Sequence, residues 1–431
     1  MARGQETNSI VVVGGGAAGI VAAWRAATLG AAVTLLEKND RLGMKILISG
    51  GGKCNVTHDG DIETLCAGFR TNEARFLKPS FYRFSNHAFL GLLEGRGIRF
   101  QARADGKIFP VNATARDVVA ALASVLDESG VQVRLRTPVS RLEFDGLYEG
   151  QGAGKPGLCA AGVRIPDGTL ACRHVVLCVG GSSYPGTGAT GDGWPWAVDA
   201  GHTIVKVRAA LAPLFLELAH AEWSGVAIRD CTLHARQDGR RFTSWRGDLL
   251  FTHRGISGPC ALGISRDVAE RRPRGPVSLE VDLLPANPPD QVSADVREWI
   301  RLNPRNLLSS FVTPFLPERL VAPFLEDAGC DVSVRAAHLP QKARNTLAQF
   351  LKGWPIGFVQ HVPLEKGEVV AGGVSLDEVD PRTMRSRKAR GLYLCGEILD
   401  IAGAIGGYNL QAAWSTGYVA GETAAEKALS T

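Results

Sequence analysis

Ile10-Val11-Val12-Val13 runs directly into Gly14-Gly15-Gly16-Ala17-Ala18-Gly19 and then into an Ala-rich stretch from Ile20 to Leu29. Few folds accommodate that order. The β-branched run reads as a buried parallel strand, the alanines as a helix, and Gly30 as its stop. Ala32 to Leu36 then reads as a second strand, with Glu37 at its end. Each glycine of the G-x-G-x-x-G turn has a separate task. Gly14 permits the tight turn, Gly16 lets the backbone approach a pyrophosphate, and Gly19 lets helix and strand pack closely. Free N–H groups and a partial positive charge at the helix start suit phosphates. Glu37 lies 18 residues past Gly19, where a carboxylate can accept both hydroxyls of a ribose. The unit predicts a bound dinucleotide.

The same stretch excludes two other readings. Thr7 to Trp24 carries no charge, but a membrane span needs ~20 mostly apolar residues. Gly14, Gly15, Gly16 and Gly19 interrupt it, and no signal-peptide pattern is present. Elsewhere, 51 of 431 residues are Gly, in clusters without a Gly-X-Y period; this points to backbone that approaches a ligand closely. A formal charge of +5 is too small for this length to argue for nucleic acid. Nine cysteines without a Cys-x-x-Cys give no zinc or iron–sulfur spacing. They read as reduced thiols of a cytoplasmic protein.

A second G-x-G-x-x-G, Gly186 to Gly191, lacks the frame of the first. The strand before it, Val175 to Val179, ends well upstream, Ser182-Ser183-Tyr184-Pro185 intervenes, and no acid-terminated strand comes after it. It reads as a Gly-rich active-site loop, so no separate nicotinamide domain is expected.

The stretch beyond Glu37 favours FAD over NAD. Gly43-Met44-Lys45 and Ser49-Gly50-Gly51-Gly52-Lys53-Cys54-Asn55 place glycines and polar groups where a nicotinamide domain would start its next βα unit. Thr114-Ala115-Arg116-Asp117 is a capping box opening a helix to about Glu128. Short strands come next at Val131 to Thr137, Val139 to Phe144, Leu158 to Ile165 and Thr169 to Cys172, with a flexible tip at 150–157. Near the C-terminus, Gly391 to Glu397 is a strand ending in Gly-acid. Gly406-Gly407-Tyr408-Asn409-Leu410-Gln411 then starts a helix through Gly421. Its N-terminal N–H groups suit the flavin pyrimidine edge, with Gly406 and Gly407 pressed against the flat ring.

Taken together, Gly43-Met44-Lys45, SGGGKCNVT (49–57), GGSSYPGTGATGDG (180–193), FTHRGISGP (251–259), GGVSLDEVDPRTM (372–384) and GGYNLQ (406–411) resemble one bacterial family, the aminoacetone-oxidase-like NAD(P)/FAD-dependent oxidoreductases. The resemblance spans nearly the whole chain. It implies an α/β fold: a Rossmann-type FAD-binding domain of parallel sheet plus β-meander, with an inserted β-barrel and helical domain. It does not imply one substrate, since members are described as amine oxidases and as reductases of unsaturated steroid-like compounds. Lys53 departs from the family, which usually has Arg there; a bidentate contact becomes a point contact.

The expected cofactor set is Gly14, Gly16, Ala17, Ala18, Gly19, Glu37, Lys38, Gly43, Lys45, Ser49, Gly51, Gly52, Cys54, Asn55, Val139, Gly180, Gly181, Gly396, Glu397, Gly407, Asn409 and Leu410. Lys53 is expected to stabilise negative charge on the reduced ring, with Tyr184 and His253 contacting substrate or moving a proton. Cys54 reads as a packed thiol. The FAD domain is expected at 1–195 and 355–431 and the insert at 196–354. The expected activity is hydride transfer between flavin and a small organic molecule, by amine oxidation or by reduction of an unsaturated compound, with NAD(P)H as a transient electron donor. A flavin-bound RNA-modifying or redox-sensing interaction protein is the alternative. Arg266 to Arg274 is a basic run that reads mainly as solvated surface.

Overall fold

The computed structural model describes residues 9–149 and 156–430. Most of the tip expected at 150–157, and the first residues of the uncharged stretch from Thr7, lie outside them. The chain forms two compact units. The first ends at Val207 and resumes at Val369; the second is Arg208–Glu368.

The first unit is built on a five-stranded sheet ordered Leu392–Leu394, His174–Leu177, Ser9–Val13, Ala32–Leu36, Gln132–Arg134, every pair parallel. Its central strand is β-branched and buried because both faces are covered. Helix Ala17–Thr28 packs on one face against the C-terminal helix, Tyr408–Leu429. These two helices meet backbone to backbone: a Cβ on Gly417 would collide with the Ala18 carbonyl, and one on Gly421 with that of Ala22. The helix Ala115–Glu128 opens on the expected box, with the Thr114 N–H donating to Asp117 Oδ2 at 2.7 Å. A meander of Arg141–Glu149, Pro156–Ile165 and Gly168–Ala171 is antiparallel. Residues 57–110, which the motifs pass over after Thr57, supply a three-stranded sheet and the helices Ile62–Ala67, Thr71–Arg83 and Asn86–Glu94.

The second unit is a closed barrel of six strands with its own apolar core, and helices between Pro289 and Gly353 lie in sequence between its fifth and sixth strands. Its boundaries differ from 196–354 for physical reasons. Trp196 and Ala197, on the helix Gly193–Asp199, are buried in the core of the first unit. The strand Trp354–His361 pairs with both Ser278–Asp282 and Leu214–Leu216, so the barrel closes only if the insert runs past 354. Among the described residues no helix is long and apolar enough to cross a membrane, and no His, Cys, Asp and Glu group could hold a metal.

Candidate active site

The first turn does what its glycines require. The Gly14 N–H donates to the Leu36 carbonyl at 2.8 Å, and a Cβ on Gly14 would stand 2.6 Å from the Cys178 carbonyl oxygen. A Cβ on Gly19 would collide with the Gly14 carbonyl, whereas one on Gly16 would meet nothing within 4 Å. Gly14 and Gly19 therefore serve the fold, and Gly16 leaves open space. The first intrahelical bond runs from the Ile20 N–H to the Gly16 carbonyl at 3.0 Å. The N–H groups of Ala17, Ala18 and Gly19 precede it and have no intrahelical acceptor. That open cradle of donors fits a pyrophosphate.

Glu37 is buried and held from two sides. Its Oε2 accepts the Gly15 N–H at 2.7 Å, and its Oε1 accepts both the N–H and the Nδ2 of Asn39 at 2.8 Å. Asn39 Nδ2 also donates to the Thr187 carbonyl at 3.1 Å. Lys38 Nζ reaches the Thr190 hydroxyl at 2.8 Å and Asp192 Oδ2 at 2.6 Å. Burial opposes ionisation of Asp192, but Lys38 and Thr190 together hold its carboxyl below the usual range. The second Gly-rich loop thus lies beside Glu37, Lys38 and Asn39.

The chain beyond Glu37 returns to the same turn, since the Gly43 N–H donates to the Gly15 carbonyl at 2.9 Å. Lys45 Nζ bonds Ser183 Oγ and Glu397 Oε2, each at 2.6 Å; Glu397 Oε1 accepts the Val370 N–H at 3.0 Å. Gly180 and Gly181 lie against the Glu397 carboxylate. Gly396 donates its N–H to Thr416 Oγ1 at 3.0 Å. Ser49 closes the short helix before it by donating to the Ile46 carbonyl at 2.8 Å. A Cβ on Gly51 would meet nothing within 4 Å and one on Gly52 only the Leu47 carbonyl at 3.9 Å, so this loop too leaves open space. Cys54 is buried, and burial pushes its thiol up to about 11, against the Ser49 hydroxyl. Asn55 Oδ1 and Ser182 Oγ are buried with no hydrogen-bond partner among the described residues. Orphaned polar atoms on two Gly-rich loops fit a polar ligand such as FAD.

The C-terminal helix keeps the expected donors but not the expected role for Gly407. Its first intrahelical bond is Gln411 N–H to the Gly407 carbonyl at 3.0 Å, which leaves the N–H groups of Asn409 and Leu410 without intrahelical acceptors. Gly407, however, lies against protein. A Cβ there would collide with the Thr57 carbonyl, and one on Gly406 would stand 3.2 Å from His58 Nδ1. The two glycines let this helix start dock on the Thr57–His58 strand, rather than only making room for a flat ring. The Asn409 side chain clamps the preceding loop, its Oδ1 accepting the Gly403 N–H at 2.8 Å and its Nδ2 donating to the Gly403 carbonyl at 3.0 Å.

Lys53 is exposed beside Cys54. Tyr184 is exposed and in the left-handed region, φ +51°. Val139 is half-buried against the core of the first unit. His253 belongs to the second unit, exposed in the turn between strands Arg240–Thr252 and Gly255–Ser257. Asn39, Ser182 and Ser183 are the residues that sequence reasoning missed. Ser182 and Ser183 sit inside a motif already singled out, so their polarity was a readable signal. Asn39 gave none, because its partners are a neighbour's side chain and a loop 148 residues away.

Residues 8–423 match the family described as HI0933-like protein Rossmann domain. The chain is 31% identical over 408 residues to the ribosomal RNA dihydrouridine synthase of Haemophilus influenzae, covering 95% of this chain and 96% of that protein. It is 31% identical over 426 residues to the 3-dehydro-bile acid delta(4,6)-reductase of Clostridium scindens, covering 97% and 100%. The 3-ketosteroid delta1-dehydrogenase of Sterolibacterium denitrificans shares the fold, with a TM-score of 0.52 at 15% identity over 97% of this chain and 100% of that one. With its fold, its open phosphate cradle and these likenesses, the chain belongs to the HI0933-like Rossmann family and is an FAD-dependent oxidoreductase.

Proposed function

We propose that the enzyme reduces a carbon–carbon double bond conjugated to a carbonyl in a small organic molecule. The observation that carries this reading is a reaction type shared by the names of two relatives matched over nearly their whole length. Double bonds at positions 4 and 6 beside a 3-oxo group form a conjugated dienone. Dihydrouridine is uridine with its ring double bond, conjugated to a carbonyl, saturated. FAD bound at the site and reduced by two electrons would supply the hydride. The residues of this chain bind and position. Ala17, Ala18 and Gly19 hold the pyrophosphate by their N–H groups, and Glu37 holds the adenosine ribose. The N–H groups of Asn409 and Leu410 would offer donors to negative charge on the reduced ring without reorganisation. Lys53 adds a cation there, and Tyr184 is the candidate in the first unit for delivering the proton to the substrate. NAD(P)H is the transient electron donor, meeting the flavin face because the second G-x-G-x-x-G is a loop rather than a nucleotide-binding unit. All nine cysteines are free, which fits a cytoplasmic location.

The test is turnover of a panel with NADH or NADPH under nitrogen: 3-oxo-Δ4 steroids, simple enones and primary amines. Saturated ketone from the enones supports the proposal. Amine-dependent bleaching of the oxidised flavin, with no enone turnover, would replace it with amine oxidation.

One observation favours a second reading, in which the conjugated bond is a uracil ring within RNA. Gln237 Nε2 bonds the carbonyls of Arg271 at 3.3 Å and Gly275 at 3.1 Å. This draws the hairpin tip bearing Arg240 and Arg241 to the helix end bearing Arg271 and Arg274, and all four arginines are exposed. Against it, Arg266 pairs with Glu270 and Arg272 donates to the Val359 carbonyl. Residues 208–368 carry 20 Lys and Arg against 18 Asp and Glu. RNA binding that weakens steeply with salt, and weakens further in Arg240→Gln/Arg274→Gln, would favour this reading.

A further inference from the structure

We infer that Asn39 is a positioning residue for the cofactor's adenosine end, and that it makes residues 185–192 a strap over that end. The inference rests on the reading that Glu37 meets the adenosine ribose. A carboxylate offers about four lone-pair sites. In Glu37 three are taken, one by the Gly15 N–H and two by Asn39. Asn39 therefore fixes the carboxylate plane and leaves one direction for a ligand hydroxyl. The same Asn39 amide group spends its second N–H on the Thr187 carbonyl. One planar group thus joins the ribose acid to the loop.

The loop is shaped to receive that amide. A Cβ on Gly188 would stand 2.6 Å from Asn39 Nδ2, and Gly188 has φ +89°, so a side chain there meets both strain and a collision. Lys38 adds an independent tie to Thr190 and Asp192. The loop closes on itself at its base, where the Gly191 N–H donates to the Gly181 carbonyl at 3.0 Å. Two consecutive residues after Glu37 thus pin one loop, and neither has to touch the cofactor.

The experiment compares FAD with its 2′-deoxyadenosine analogue on the full-length protein, reading the dissociation constant of each and the release rate of FAD by recovery of flavin fluorescence. The parent is expected to prefer FAD by about tenfold, the scale of one hydrogen bond to a charged group. Glu37→Gln should lose that preference. Asn39→Ala should lose most of it with Glu37 intact, and should release FAD about tenfold faster. Both variants keep the backbone N–H bond to Glu37; Asn39→Ser adds a short hydroxyl donor in place of the amide and should fall between, so the series reads a gradient even if one variant folds poorly. Lys38→Met should speed release and leave the preference unchanged, because it ties the loop without touching Glu37. If Glu37→Gln keeps the preference, the ribose reading is wrong and Asn39's positioning role falls with it. If Glu37→Gln loses the preference while Asn39→Ala keeps both preference and release rate, the ribose reading stands and the inference about Asn39 is overturned.

Discussion

Gly407 is pressed against the backbone of Thr57, so that a single methyl group on Gly407 would run into the Thr57 carbonyl. The GGYNLQ segment is therefore a docking joint before it is a ligand surface. Thr57 Oγ1 donates to Gln411 Oε1 at 2.6 Å, and Gln411 Nε2 donates to Ser415 Oγ at 2.9 Å, all of it buried. Gly407 also sits at φ +92°. Gly407→Ala should destabilise the cofactor-free protein by about 1–3 kcal/mol, from backbone strain alone. Thermal melts of apo parent and variant check this. An unchanged apo melting temperature would mean that the joint gives way easily.

Glu37→Ala should weaken FAD binding by about 1–3 kcal/mol, the usual consequence of removing a charged hydrogen-bonding partner. Equilibrium titration of the apo protein reads it. Equal affinity in both proteins would move the ribose contact elsewhere.

Lys45 and Glu397 should be coupled. The pair is partly buried, and Ser183 and the Val370 N–H share the carboxylate. Removing Lys45 alone leaves Glu397 short of its counter-charge, and removing both should be milder than the sum. In a double-mutant cycle of Lys45→Met and Glu397→Gln, read by urea unfolding, we expect a coupling of about 1–2 kcal/mol. Additive effects would show the pair to be independent.

Cys54 gives a pH prediction with a definite sign. Burial raises its thiol from 9.0 to about 11 in the folded chain. Between those values the unfolded chain loses the proton and the folded chain keeps it, so the folded state binds more protons and stability falls as pH rises. The contribution is complete below about 9 and gone above about 11. Relative to Cys54→Ala, which keeps the other buried thiols, the parent should lose about 2 kcal/mol across that window. Denaturation midpoints at stepped pH test it; parallel curves would place Cys54 in contact with solvent.

The turn at Gly14 to Gly19 was legible because its chemistry is contiguous: strand, glycines, helix and acid fall within about thirty residues, and each constrains the next. The capping box at Thr114 was legible for the same reason. Gly407 was not, because glycine excess shows that something approaches closely without showing what. Thr57 is far away in sequence, and only the fold brings it there. The barrel edge was misjudged at 354 because periodicity marks strands but not their partners, and Trp354–His361 is the strand that closes the ring. Residues 58–110 carry no chemistry-bearing motif, so their helices are not legible in the sequence. The site was legible where it is made of backbone and acids, and illegible where it depends on loops meeting, as Asn39 meets Thr187.

The central claim is that reduced enzyme passes a hydride to a double bond conjugated to a carbonyl. The most direct measurement is a single turnover. Holoenzyme is reduced under nitrogen, freed of excess reductant, and mixed rapidly with a 3-oxo-Δ4 steroid while flavin absorbance is followed. The account predicts that the oxidised flavin band returns at a rate rising with steroid concentration, with one saturated ketone formed per flavin. A flavin that stays reduced with every enone offered, yet is formed from the oxidised enzyme by a primary amine, would contradict it.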